Sequence, residues 1–132
     1  MFDYAGDDSG EFDFKEGTDE VEYDSRLEMP ADTTELTKTR YSSFAGTNLG
    51  ALLQKHGVSR VVITGFMTNF CCESTARDAH DRDYFVDFIA DATGTPGTEN
   101  IKEAQMRTFV GECLAAGIAR VFSTNDYLDS LK

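Results

Sequence analysis

Cys71 and Cys72 stand side by side in "TNFCCESTARDA", directly after an apolar run, and a thiol pair so placed raises the question of nucleophilic chemistry. A cysteine at a helix N-terminus meets unpaired backbone N–H groups and the positive end of the helix dipole, which favour the thiolate, the reactive form. The same N–H groups can stabilise an oxyanion on a carbonyl that the sulfur attacks. Cys71 falls in the first turn of a helix expected over about 71–82. Cys72 shares a face with Ala76 and Ala79, the face expected to pack on a sheet. Cys71 therefore reads as the nucleophile and Cys72 as a small core residue. The competing reading makes both of them buried structural thiols, since free cysteine is among the most buried residue types.

A nucleophilic thiol needs a base and a group that orients it. Lys38, in "LTKTRYSSF", is the candidate. It closes a short predicted strand, "TELTK", and in a parallel sheet it would face the same edge as Cys71, where its charge would stabilise a thiolate. His56 at a helix C-terminus and His80 within the charged run "RDAHDRD" read as structural. The chain has no C-x-x-C, and its histidines stand at no ligand spacing from the cysteines, so no metal or other cofactor is expected.

Strands and helices alternate from Leu36 onward. Thr47 can cap a helix through "NLGALLQKH", with Leu49, Leu52 and Leu53 on one face and Gly57 as its stop. "RVVITGF" does not alternate and reads as a strand buried on both faces. "YFVDFIADA" is the next strand and "TGTPGT" a turn-rich loop. Asn100 and Glu103 resemble a capping box that opens a helix to Ala116. Along it Met106, Phe109, Val110, Cys113, Leu114 and Gly117 form a core stripe. "ARVFST" is the last strand, and "NDYLDSLK" adds a short terminal turn. This order predicts an α/β fold, a three-layer, Rossmann-like parallel sheet with right-handed crossovers and helices on both faces. Ligands in such sheets sit beyond the carboxyl ends of the strands, and "TGFMTNFCC" leaves one of those ends.

The 132 residues suit one small domain. A formal net charge of −12 and a pI of about 4.4 exclude nucleic acid and anionic membrane surfaces as natural partners. No apolar stretch is long enough to span a bilayer, and residues 1–20 lack the pattern of a signal peptide. Three cysteines, Cys71, Cys72 and Cys113, build no disulfide framework, so a reducing, cytoplasmic setting is the default expectation. Residues 1–35 hold 13 of the 24 carboxylates and only Lys15 and Arg26 as bases. That segment is expected to be an acidic, loosely ordered N-terminal stretch preceding a domain over 36–132.

Taken together, "KTRYSSFAGTNLGALL", "VVITGFMTNFCCESTARDA" and "DYFVDFIADATGT" resemble the isochorismatase-like cysteine hydrolases over about residues 36–126, and "GEFDFKEGTDEVEY" is compatible with the segment that precedes the family's lysine. By that resemblance Lys38 matches the catalytic lysine and Cys71 the nucleophile. A cis peptide maps onto Phe66–Met67, and the backbone N–H groups of Met67 and Cys71 onto an oxyanion hole. Tyr41, Phe44 and Phe70 are pocket-wall candidates. The resemblance implies a small-molecule substrate with an amide or related C–N bond, no catalytic metal, and a homo-oligomer. Hydrolysis of the vinyl ether of isochorismate is the alternative chemistry. The family's third catalytic residue, an aspartate at the end of its first strand, has no counterpart motif; Asp3, Asp7, Asp8 and Asp13 match none. The chain thus reads as N-terminally truncated, starting after strands one and two of a sheet ordered 3-2-1-4-5-6, and a non-catalytic pseudoenzyme or fragment is the reading from another class.

Overall fold

The computed structural model describes Phe14 and residues 17–132. The remainder of the acidic segment, with Asp3, Asp7, Asp8 and Asp13, lies outside the described residues. Helix α1 spans Leu49–Lys55 and strand β1 Arg60–Phe66. A π turn over Thr68–Cys72 runs directly into helix α2, Glu73–Asp81. Strand β2 (Phe85–Gly94), helix α3 (Glu103–Ala115), strand β3 (Arg120–Phe122) and helix α4 (Thr124–Ser130) follow. The three strands lie in the order β1-β2-β3, and both pairings are parallel. No helix among the described residues is long and apolar enough to cross a membrane.

Helix α1 stops as its sequence requires. Gly57 adopts a φ of +62°, and Gly57 N and Val58 N return hydrogen bonds to the carbonyls of Gln54 (3.0 Å) and Leu53 (2.9 Å). These are the two bonds of a Schellman closure, which satisfies the last carbonyls of the helix. Cys72 at the end of the π turn and Ala76 and Ala79 of helix α2, all buried, share one core with Val86 and Phe88 of β2. Small side chains on that face allow the helix to approach the sheet closely. Val110 and Leu114 of α3 join the same core. On the opposite face α4 covers β2 and β3, where Tyr127 meets the ring of Phe122 at 5.5 Å and Asp91 accepts hydrogen bonds from the N–H and hydroxyl of Thr124.

Five sequence expectations are corrected. Residues 34–38 form no strand, and Lys38 lies in an extended loop segment. Strand β1 is not buried on both faces: Val61 and Ile63 pack on the core, while Val62 is 44% exposed. β1 is an edge strand among the described residues, and the ring of Phe66 at its end, 43% exposed, has Phe14 beside it at 6.1 Å. Helix α3 begins at Glu103 behind Lys102, not at Asn100, and Gln105 Oε1 accepts the Lys102 N–H at 3.1 Å. Phe109, placed in the core stripe by its spacing, is 67% exposed. The row that faces inward is Met106, Val110 and Leu114, four residues apart, and Phe109 lies on its flank. The expected terminal turn is the helix α4, capped by Ser123, whose hydroxyl accepts the Asp126 N–H at 3.1 Å.

A break in register shapes the end of the sheet nearest the cysteines. One residue separates Ile63 from Gly65 in β1, whereas four separate their partners Phe88 and Thr93 in β2. The excess bulges out of β2 and brings Thr93 and Gly94 alongside Gly65 and Phe66. At the other end of the strands Asp87, 1% exposed, accepts hydrogen bonds from Arg60 (3.0 Å) and Arg120 (2.8 Å to each carboxylate oxygen). One carboxylate thereby ties all three strands together. Burial opposes its charge, but the Arg120 hydrogen bonds and the two guanidinium charges outweigh burial and hold the carboxyl below its ordinary range.

Candidate active site

The site lies where β1 ends. The Phe66–Met67 peptide is cis, and the chain then turns through Thr68–Cys72. Met67 O accepts the N–H groups of Phe70 (3.2 Å) and Cys72 (3.1 Å), which closes the turn. Two threonine bridges fasten it to β2 and the loop that follows. The Thr68 hydroxyl donates to Thr93 Oγ1 at 2.9 Å, and the Thr95 hydroxyl donates to Asn69 Oδ1 at 2.8 Å. Thr68, Thr93 and Thr95 are all buried. Both bridges depend on the β2 bulge, which carries Thr93 and Thr95 to the level of the turn.

Cys71 is the fourth residue of the π turn, two residues ahead of α2 rather than within it. Its sulfur lies 3.1 Å from Lys38 Nζ. The same ammonium donates to the carbonyls of Arg40 (2.8 Å) and Tyr41 (3.2 Å). Backbone dipoles of the loop therefore aim the lysine at the sulfur, although no regular element holds it. Tyr41 and Phe70 stack beside this pair, ring centroids 5.1 Å apart and planes 24° apart. Phe44, expected as a pocket wall, is instead a core residue 5% exposed, stacked on Tyr84 at 5.8 Å.

The second thiol lives in a different environment. Cys72 is 4% exposed, with Thr64 O as a distant acceptor at 3.8 Å. Burial pushes its thiol up to about 12; the adjacent Cys71 adds to the rise and Lys38 opposes it. A thiol that holds its proton to such a pH is no nucleophile near neutrality. Two neighbouring residues of one type are thus separated into a half-buried sulfur beside an ammonium and a core sulfur beside the sheet.

The structure also adds residues that the sequence reading missed. Thr75, Asp78, Ser42 and Ser43 stitch the lysine loop to α2: Ser42 Oγ donates to Asp78 Oδ2 at 2.5 Å and Ser43 N donates to Thr75 Oγ1 at 3.0 Å. Their signal was present as spacing, for Thr75 and Asp78 stand four and seven residues after Cys71. His56 and His80 are exposed. Among the described residues no three His, Cys, Asp or Glu side chains gather closely enough to hold a metal ion.

A parallel α/β sheet with a cysteine turn beyond the end of a strand, and a lysine brought to that cysteine from a preceding loop, defines the class of protein. The family model of the isochorismatase domain matches residues 3–126, and the chain belongs to that family. It is 43% identical over 79 residues to the ureidoacrylate amidohydrolase RutB of Methylorubrum extorquens, a match covering 58% of this chain and 32% of that protein. The chain thus spans about a third of the length of the curated relatives it matches. Its fold is similar to that of an isochorismatase-like hydrolase from Alkaliphilus metalliredigens, with a TM-score of 0.77 and 30% identity over 88% of this chain and 60% of the other. It is also similar to a cysteine hydrolase from Pseudomonas syringae pv. phaseolicola, with a TM-score of 0.74 and 27% identity over 83% and 54% of the two chains.

Proposed function

We propose that this chain carries the nucleophile and lysine of a hydrolase acting on amide or related C–N bonds of small molecules. The 3.1 Å contact between Lys38 Nζ and Cys71 Sγ is the observation that carries the reading. That contact sets a positive charge beside the sulfur that attacks. The thiolate attacks the acyl carbon, the C–N bond breaks, and the nitrogen leaves with a proton from the Lys38 ammonium, which the lysine regains when the thiol is freed. Water then cleaves the thioester, releasing the carboxylic acid and returning the sulfur. The backbone N–H groups of Met67, which precedes the turn, and of Cys71 within it are the groups offered to the oxyanion. Tyr41, whose carbonyl holds the lysine, and Phe70, next in the chain to Cys71, stack on one another, and this apolar pair is the pocket wall assigned to a small substrate.

The amidohydrolase relatives support C–N cleavage over hydrolysis of a vinyl ether, and so does the cysteine, because vinyl-ether hydrolysis calls for protonation rather than a thiol. The test is ammonia release from ureidoacrylate and from simple carbamoyl compounds. Activity that Cys71→Ala abolishes and Cys72→Ala largely spares supports the assignment. Equal loss in both variants overturns it, as does turnover that survives in Cys71→Ala.

A further inference from the structure

Lys38 belongs to no helix or strand, yet its ammonium stands within bonding distance of a particular sulfur. Something other than secondary structure must place it. Cys71, Thr75, Asp78 and Arg82 recur at intervals of four, three and four residues and so share one side of the helical run through α2. Each of them meets the loop that carries Lys38. Cys71 faces Lys38 itself. Thr75 Oγ1 accepts Ser43 N at 3.0 Å and lies 3.3 Å from Ser43 Oγ. Asp78 accepts the Ser42 hydroxyl at 2.5 Å, and Arg82 lies over the Phe44 ring, 5.0 Å from its centroid. The Ser42 oxygen in turn accepts the Phe44 N–H at 3.1 Å. Tyr41, whose carbonyl holds the lysine, immediately precedes Ser42.

We propose that Asp78 and Thr75 are positioning residues: they lock residues 42–44 onto α2 and thereby fix the Arg40 and Tyr41 carbonyls that aim Lys38 at Cys71. The inference takes Cys71 and Lys38 in the roles proposed above. Asp78 acts with its charge partly committed, since Arg82 Nε donates to its other carboxylate oxygen at 2.6 Å. What the loop needs from it is an oxygen acceptor at the right place. An amide can supply that acceptor, whereas a methyl group cannot.

The test is the rate of iodoacetamide labelling at Cys71 from pH 6 to 9.5 in the full chain, located by peptide mass, with the half-buried Cys113 as internal reference. Asp78→Ala is expected to slow labelling of Cys71 at pH 7 by about tenfold and to give it the pH profile of Lys38→Ala, with Cys113 unchanged. Asp78→Asn is expected to keep at least about half of the parent rate. Thr75→Val and Ser42→Ala, which remove one hydroxyl each, are expected to shift the profile in the same direction; they decide the matter if Asp78→Ala does not fold. Parent-like profiles in these variants overturn the proposal, as does a change that moves Cys71 and Cys113 together. If Lys38→Ala itself labels like the parent, the hydrolase reading fails. If Lys38→Ala is slow and the Asp78 and Thr75 variants are not, only the positioning role fails.

Discussion

Thr68 and Thr93 join two buried hydroxyls at 2.9 Å, and the Thr93 hydroxyl donates in turn to the carbonyl of Ala90 at 2.9 Å. A short hydrogen-bonded relay therefore links the head of the cysteine turn to the bulge of β2. Thr68→Val keeps the shape but removes the donor. It is expected to cost about 1 kcal/mol in urea unfolding and to slow labelling of Cys71, because the turn loses its tie to the sheet. Unchanged stability and labelling would show that the turn holds its form without the relay.

Cys72 should impose a distinctive alkaline limit. Below the ordinary thiol value of 9.0 the folded and unfolded chains both keep its proton. Between 9.0 and about 12 the unfolded chain has released it while the folded chain has not. Stability thus falls as pH rises through that window, by at most about 1.4 kcal/mol per pH unit. Cys72→Ala is expected to lose less stability than the parent between pH 9 and 11, measured by urea midpoints. Parallel slopes for the two proteins would contradict the burial assigned to this thiol.

Asp87 acts at the acid end. Its carboxyl is held below the ordinary value of 3.8, so its contribution is present above that value and is lost as the pH falls through the folded-state value. Asp87→Asn is expected to cost about 2 kcal/mol at pH 7, moderated by the exposure of both arginines. The gap between parent and variant should narrow towards pH 2. Thermal unfolding at pH 7, 4 and 2 provides the check, and a gap that stays constant would rule out a charged role.

Gly57 offers a test that isolates backbone conformation. A side chain at this position would touch nothing within 4 Å, yet its φ is +62°. Gly57→Ala is therefore expected to destabilise by about 1 kcal/mol through the left-handed backbone alone, with labelling of Cys71 unaffected. A neutral substitution, read by thermal unfolding, would mean that α1 ends without that conformation.

Strand β1 was legible to the residue because an unbroken apolar run bounded by turn residues has few other uses in an α/β chain. The burial of its second face was not legible. An apolar run reports what a strand can tolerate on both faces, while coverage depends on segments far away in sequence. Phe109 fails for a related reason: helical spacing marks a stripe but does not say which edge of it the sheet reaches. The pairing of Lys38 with Cys71 was anticipated from two separated segments, although the strand assumed to carry the lysine does not form. Thr75 and Asp78 were passed over because a threonine and an aspartate on a polar helix face look like solvated residues until the loop opposite them is known. Asp87 was read only as part of a strand, and the two arginines that justify its burial lie 27 and 33 residues away.

Successive residues of a helical turn point to different sides of its axis, so the adjacent sulfurs look in different directions: Cys71 towards an ammonium and Cys72 into the core. Chemical identity is therefore set by angular phase rather than by residue type. Deleting one residue between Phe66 and Cys71 would rotate the frame by one residue and present the sulfur of Cys72 at the place of Cys71, while forcing Glu73 towards the sheet. The stretch from Phe66 to Cys71 works as a fixed-length escapement: its count decides which sulfur meets the lysine.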